Sequence, residues 1–149
     1  MSYQQALSAA GAVVIGTKYA GSYQGTWGSI VEYQGKKGLV TGSFGSCSQC
    51  DAFESEFDDY DWSPNVITHD TETDTYSRDY GNTQCTKQEY DVQKAEYQQK
   101  LSNFGMRYLH VIQDKWDIEN QLAHLSKDED NWYDDETREL LAWALPLLS

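Results

Sequence analysis

The chain has 149 residues, enough for one domain around one core. Hydrophobic residues make up 39% and charged residues 23%, a balance that supports a packed interior and excludes disorder throughout. Eleven Lys and Arg face 24 Asp and Glu, for a formal charge of -13. That charge excludes a general nucleic-acid binder and argues against an anionic membrane surface, leaving a protein with a basic surface as the expected partner.

Ser2 to Ala10 is rich in Gln, Ala and Leu and predicts a short helix. Ala12 to Ile15 reads as a strand, and Ser22 to Tyr33 as a second one. In the second, Tyr23, Trp27, Val31 and Tyr33 share one face, while Thr26, Ile30 and Glu32 share the other. Gly25 and Gly28 mark a bulge or a close backbone approach. Gln34 to Lys37 is a hairpin turn, and Lys37 to Phe44 the returning strand. A short helix follows, capped by Ser46 or Ser48, with Asp51 and Glu54 in its first turns and Phe53 and Phe57 on one side. Residues 58–84 are poor in aliphatics and read as a long acidic loop with a strand at Val66-Ile67. Thr86 to Leu125 is helical, with Tyr90, Tyr97, Leu101, Phe104, Tyr108 and Val111 as its buried stripe and Gly105 as a bend or break. Asp130 or Asn131 caps a last helix that Pro146 stops, with Leu140, Leu141, Ala144 and Leu145 on its apolar side.

These elements predict a single α+β domain: a β-rich part over 1–57, an acidic loop over 58–84 and a helical part over 85–149. A small antiparallel sheet should pack on the C-terminal helices. The expected core is Tyr23, Trp27, Val31, Leu39, Phe53, Leu101, Phe104, Leu140 and Leu141.

Charge is segregated along this frame. Residues 1–50 hold three bases against one acid, a net of +2. Residues 51–80 hold ten acids against Arg78 alone, a net of -9. Residues 81–149 hold thirteen acids against seven bases, a net of -6. Such a distribution makes a directed field as well as a soluble surface.

The hairpin Trp27 to Val40 resembles one turn of a bacterial SH3-like barrel, which implies a small curved sheet. The stretch Gly21-Ser22-Tyr23-Gln24-Gly25-Thr26-Trp27, followed by Gly42-Ser43-Phe44-Gly45-Ser46-Cys47-Ser48-Gln49-Cys50-Asp51-Ala52-Phe53-Glu54, resembles a family of small uncharacterised phage proteins. Tyr97 to Tyr108 and Trp132 to Leu141 are similar to that family as well. The resemblance implies phage origin, a place in the host cytoplasm and a non-virion accessory role; it transfers no catalytic residue.

Cys47-x-x-Cys50 lies where a strand turns into a helix, a spacing that lets two thiolates share a metal. Cys85 is the candidate third ligand, with His69, His110, His124 or an Asp as the fourth, and zinc as the candidate cofactor. Buried thiol packing and redox chemistry at a helix N-terminus are the competing readings. An odd count of three Cys fits a reducing compartment. Asp70-x-Glu72-x-Asp74 looks like the start of a calcium loop, but Thr75 and Gly81 stand where such a loop needs Gly and Glu. No acid, base and nucleophile set is visible, so an enzyme is not expected. The leading candidate site is the acidic run with interleaved aromatics: Asp58, Asp59, Tyr60, Asp61 and Trp62. Carboxylates spaced along a surface imitate a phosphate row. The expectation is a phage-encoded inhibitor that blocks the basic groove of a host defence protein, such as a CRISPR effector or a nuclease. The alternative is a zinc-stabilised adaptor without mimicry.

Overall fold

A computed structural model of the chain describes residues 3–45, 51–57, 68–78, 83–125 and 132–149. Helix α1 (Tyr3–Ala9) leads into strands β1 (Val13–Gly21), β2 (Gly25–Tyr33) and β3 (Lys36–Phe44), which form an antiparallel sheet in the order β1-β2-β3. Helix α2 (Ala52–Phe57) follows, then a second, small antiparallel sheet of β4 (Thr68–Asp70), β5 (Thr75–Arg78) and β6 (Thr83–Cys85). Helices α3 (Lys87–Leu109), α4 (Lys115–His124) and α5 (Trp132–Ala144) and a 3-10 turn (Leu145–Leu148) complete the chain. The α+β class and the N-terminal sheet followed by C-terminal helices are as the sequence predicts.

The β2–β3 connection is a two-residue turn. Gln34 and Gly35 both take positive φ, 51° and 81°, which matches the right-handed twist of the flanking strands. Opposite it, β1 meets β2 with a register shift between Val14 and Gly16, so the bulge lies in β1 and Ile15 is its extra residue. Gly25 and Gly28 mark close approaches instead: a Cβ at Gly25 would lie 2.0 Å from the Ala20 carbonyl oxygen, and one at Gly28 2.9 Å from a Leu140 methyl and 3.0 Å from one of Leu39.

Because side chains alternate across a strand, β2 can be buried on both faces. Trp27 and Val31 enter one core, with Tyr3, Leu7, Val40, Phe53, Leu101 and Phe104. Ile30 and Leu39 enter a second core, with Ile118, Leu141 and Ala144. The sheet is thus the middle layer, with α1, α2 and α3 on one face and α4 and α5 on the other. Of the expected core, eight residues are buried and one is not: Tyr23 is 82% exposed in the β1–β2 turn, because β2 begins only at Gly25. Val111 is likewise outside the core, at 67% exposed.

The long C-terminal helical stretch is two helices. Thr86 caps α3 by accepting from the Glu89 N–H at 3.1 Å. The helix runs straight through Gly105, where the α1 backbone crosses; a Cβ would meet the Ala6 carbonyl at 2.0 Å. The break comes later. Gln113 exchanges two backbone hydrogen bonds with Leu39 on the β3 edge, at 2.8 and 2.9 Å, and Asp114 opens α4 with a reciprocal capping box. The loop expected over 58–84 is also corrected: residues 68–70, 75–78 and 83–85 form β4, β5 and β6. This small sheet rests on α3 through Tyr76 and Tyr90, whose rings lie 4.8 Å apart. The strand expected at Val66-Ile67 and the caps expected at Ser46, Ser48, Asp130 and Asn131 lie outside the described residues.

Candidate functional site

The acidic stretch begins at a carboxylate that is not on the surface. Asp51 is fully buried. Its Oδ1 accepts from the Tyr3 hydroxyl at 2.8 Å and from the Phe53 N–H at 3.0 Å, and its Oδ2 accepts from the Gly45 N–H at 3.0 Å. One side chain thereby joins α1, the end of β3 and the start of α2. It also does the work of an N-cap, a role the sequence reading gave to serine while placing Asp51 inside the helix. Burial, and then the bond to Asp51, hold the Tyr3 phenol well above the ordinary tyrosine range. Burial likewise raises Tyr19, Tyr97 and Tyr108.

Helix α2 is then pinned along its length. Phe53 and Phe57 stack at 4.5 Å and meet Phe104 edge-on, each at 5.5 Å. At its C-terminal end, Arg107 Nη1 reaches Glu56 Oε1 at 2.6 Å, and the Lys100 ammonium lies over the Phe57 ring at 4.7 Å while donating to the Glu56 carbonyl. Two α3 cations at a helix C-terminus complement its dipole. The acidic segment therefore leaves from a fixed stem.

The chain re-enters at β4, and the turn from β4 to β5 continues the acidic character. Asp70 to Asp74 are all exposed. Asp70 accepts the backbone N–H of Glu72 at 3.0 Å and of Thr73 at 3.4 Å, a local turn closed by its own carboxylate. These bonds lower the pKa of Asp70, so it stays charged across the physiological range. His69 Nε2 lies 2.8 Å from Asp74 Oδ1, and the imidazole stacks on Tyr76 at 4.2 Å with 3° between planes. The three carboxylates Asp70, Glu72 and Asp74 therefore present a charged tip on a hairpin held at its base by aromatic packing. The calcium-loop spacing here is that of a β-turn.

Asp58, Asp59, Tyr60, Asp61 and Trp62 connect α2 to β4 and lie outside the described residues, as do Cys47 and Cys50. The other two proposed zinc ligands are described. His69 pairs with Tyr76 across β4 and β5, and Tyr76 with Cys85 across β5 and β6. His69 and Cys85 therefore share a cross-strand row, two strand spacings or roughly 9–10 Å apart in the backbone, with Tyr76 between them. Among the described residues, no group of three or more His, Cys, Asp and Glu is gathered as a metal site, and no helix is long and apolar enough to cross a membrane.

The sequence reading missed the Tyr3–Asp51 pair, which spans 48 residues and has no local signal. It also passed over the acids of α5, where Glu139 pairs with Lys18 at 3.4 Å and Asp135 with Arg138 at 3.0 Å. No protein-family model, curated protein or solved structure matches the chain.

Proposed function

We propose that this chain is a phage-encoded, non-catalytic inhibitor that lays its acidic segment into the basic, nucleic-acid-binding groove of a host defence protein. The observation that carries this reading is the charge segregation: -9 over residues 51–80 beside +2 over residues 1–50. The geometry supports it in two ways. The segment is tethered by α2 on one side, with Asp51 and Phe57 sunk in the core, and by the β4–β6 sheet on the other. A tethered segment loses less conformational freedom on docking than a free one, so more of its electrostatic attraction appears as affinity. The exposed carboxylates of Asp70, Glu72 and Asp74 add described surface charge to the same acidic stretch of sequence.

The test is a pull-down from infected host lysate, followed by binding kinetics on the captured partner. Reversing Asp58, Asp59 and Asp61 to Lys should leave the melting temperature unchanged and slow association strongly, because steering charges act chiefly on the on-rate. Added nucleic acid should compete, and rising salt should weaken binding through screening over roughly 8–10 Å. Binding that survives both high salt and the triple reversal would refute mimicry and leave the adaptor reading, stabilised by zinc at Cys47, Cys50, Cys85 and His69.

A further inference from the structure

The β2–β3 turn and the C-terminal end of α3 enclose a pocket of about 320 Å³. Ligand pockets of this size combine apolar walls with a few placed polar groups, and here the two kinds come from different elements. The end of α3 and the residues after it supply the apolar part, Met106, Leu109 and Ile112. The turn supplies the polar part, Tyr33, Gln34 and Lys36. That polar end is held in place by the sheet, because Tyr33 and Lys36 are cross-strand partners on either side of the two-residue turn.

Each of these polar side chains can donate a hydrogen bond, and none is a carboxylate. The Tyr33 hydroxyl accepts from Gln34 Nε2 at 3.3 Å and donates to the Met106 sulfur at 3.4 Å, a weak acceptor. A ligand oxygen offers that hydroxyl a better one. As cross-strand partners, Tyr33 and Lys36 share the sheet face that meets α3. Lys37 alternates to the opposite face, across from Glu32, so the sheet lies between the Glu32 carboxylate and Lys36. The charged neighbours on α3 and α4 are engaged elsewhere: Arg107 with Glu56, and Asp114 with the Asp117 N–H of the capping box. Lys36 takes part in none of the ion pairs among the described residues. His110 lines the pocket at the helix end and adds a ring N–H. The last carbonyls of α3 carry partial negative charge. A negative head group therefore belongs at the turn end, with its apolar body towards the helix.

We propose that this pocket binds a small organic anion: a carboxylate head held by Lys36, Tyr33 and Gln34, and a compact apolar body on Met106, Leu109 and Ile112. The net charge of -13 repels anions at long range, so recognition rests on contacts inside the pocket. The inference is independent of the acidic-groove reading, because it uses no residue of the 51–80 segment.

Nuclear magnetic resonance titration of the full chain with phenylacetate tests it, with phenylacetamide as the neutral probe of the same shape. Both are run at about 0.15 M salt, where screening over about 8 Å removes long-range effects. Backbone amides of Gln34, Lys36, Met106, His110 and Ile112 should shift saturably. The carboxylate should bind roughly tenfold tighter than the amide, since charge-assisted hydrogen bonds are the stronger ones. Lys36→Ala should weaken phenylacetate roughly threefold to fivefold, the size of a solvent-exposed ion pair, and leave phenylacetamide unchanged. Lys37→Ala removes the same charge one residue away on the opposite face and should bind phenylacetate like the parent. Shifts that fail to saturate at these amides overturn the proposal. So do equal affinities for the two probes, or equal losses in Lys36→Ala and Lys37→Ala.

Discussion

Replacing Tyr3 with Phe removes the hydroxyl that ties α1 to Asp51 at the start of the acidic stretch and that also lies 3.3 Å from the Ser43 carbonyl and 3.4 Å from the Phe53 N–H. The ring keeps its place, stacked on Trp27 at 4.6 Å and tilted against Phe53 at 5.7 Å. What is lost is the hydroxyl that donates to the buried Asp51 carboxylate at 2.8 Å. A hydrogen bond to a charged group is worth about 1.5–3 kcal/mol. The expected cost is therefore about 2 kcal/mol, or about 4–8 °C in Tm for a chain of this size. Asp51→Ala goes further. It removes the shared acceptor of the Tyr3 hydroxyl and of the N–H groups of Gly45 and Phe53, leaving Tyr3 only the Ser43 carbonyl at 3.3 Å and Phe53 only the Tyr3 hydroxyl at 3.4 Å, and should cost about 4 kcal/mol, since buried donors that lose a charged acceptor carry a desolvation penalty. Because both substitutions break the same bond, the double variant should fall short of the sum by about 2 kcal/mol. Urea unfolding of the four proteins measures this. A Tyr3→Phe cost below about 0.5 kcal/mol, or strict additivity, would show that the pair does not hold the elements together.

Alkaline stability follows from the raised phenols of Tyr3, Tyr19, Tyr97 and Tyr108. The unfolded chain ionises them near pH 10 while the folded one keeps the protons, so stability is full below about pH 10 and falls as pH rises past it. Each such tyrosine contributes up to about 1.4 kcal/mol per pH unit there. Urea midpoints between about pH 9 and pH 11 should fall, with a smaller slope for Tyr3→Phe; a flat profile would contradict the burial of these hydroxyls. Trp27→Ala, at a side chain with no exposed surface, should destabilise by about 3–5 kcal/mol in thermal or urea unfolding. If Cys47, Cys50 and Cys85 hold zinc, the purified protein should carry about one equivalent, and chelation should lower its Tm. Metal-free protein with three freely titrating thiols would end that reading.

Local pattern determined much of this molecule. The period-two run from Trp27 to Val31, the Gln34-Gly35 turn, Phe53 and Phe57 on one side of α2, and the apolar side of α5 are set by neighbours within a few residues, where side-chain period and turn chemistry act directly. The segregation of charge is likewise a property of the sequence, and with it the candidate acidic surface. Tertiary structure decided what depends on distant partners. Tyr23 lies outside the core because the strand starts two residues later, and Ile30 is buried because α4 and α5 cover the sheet's second face. The helical stretch is interrupted between Leu109 and Asp114, where Gln113 pairs with Leu39, and Gly105 serves a crossing backbone. Asp51, an ordinary acid at the head of an acidic run by sequence, is withdrawn from that run by a tyrosine 48 residues away. A carboxylate's environment is set by what folds around it, and no local spacing carries that information.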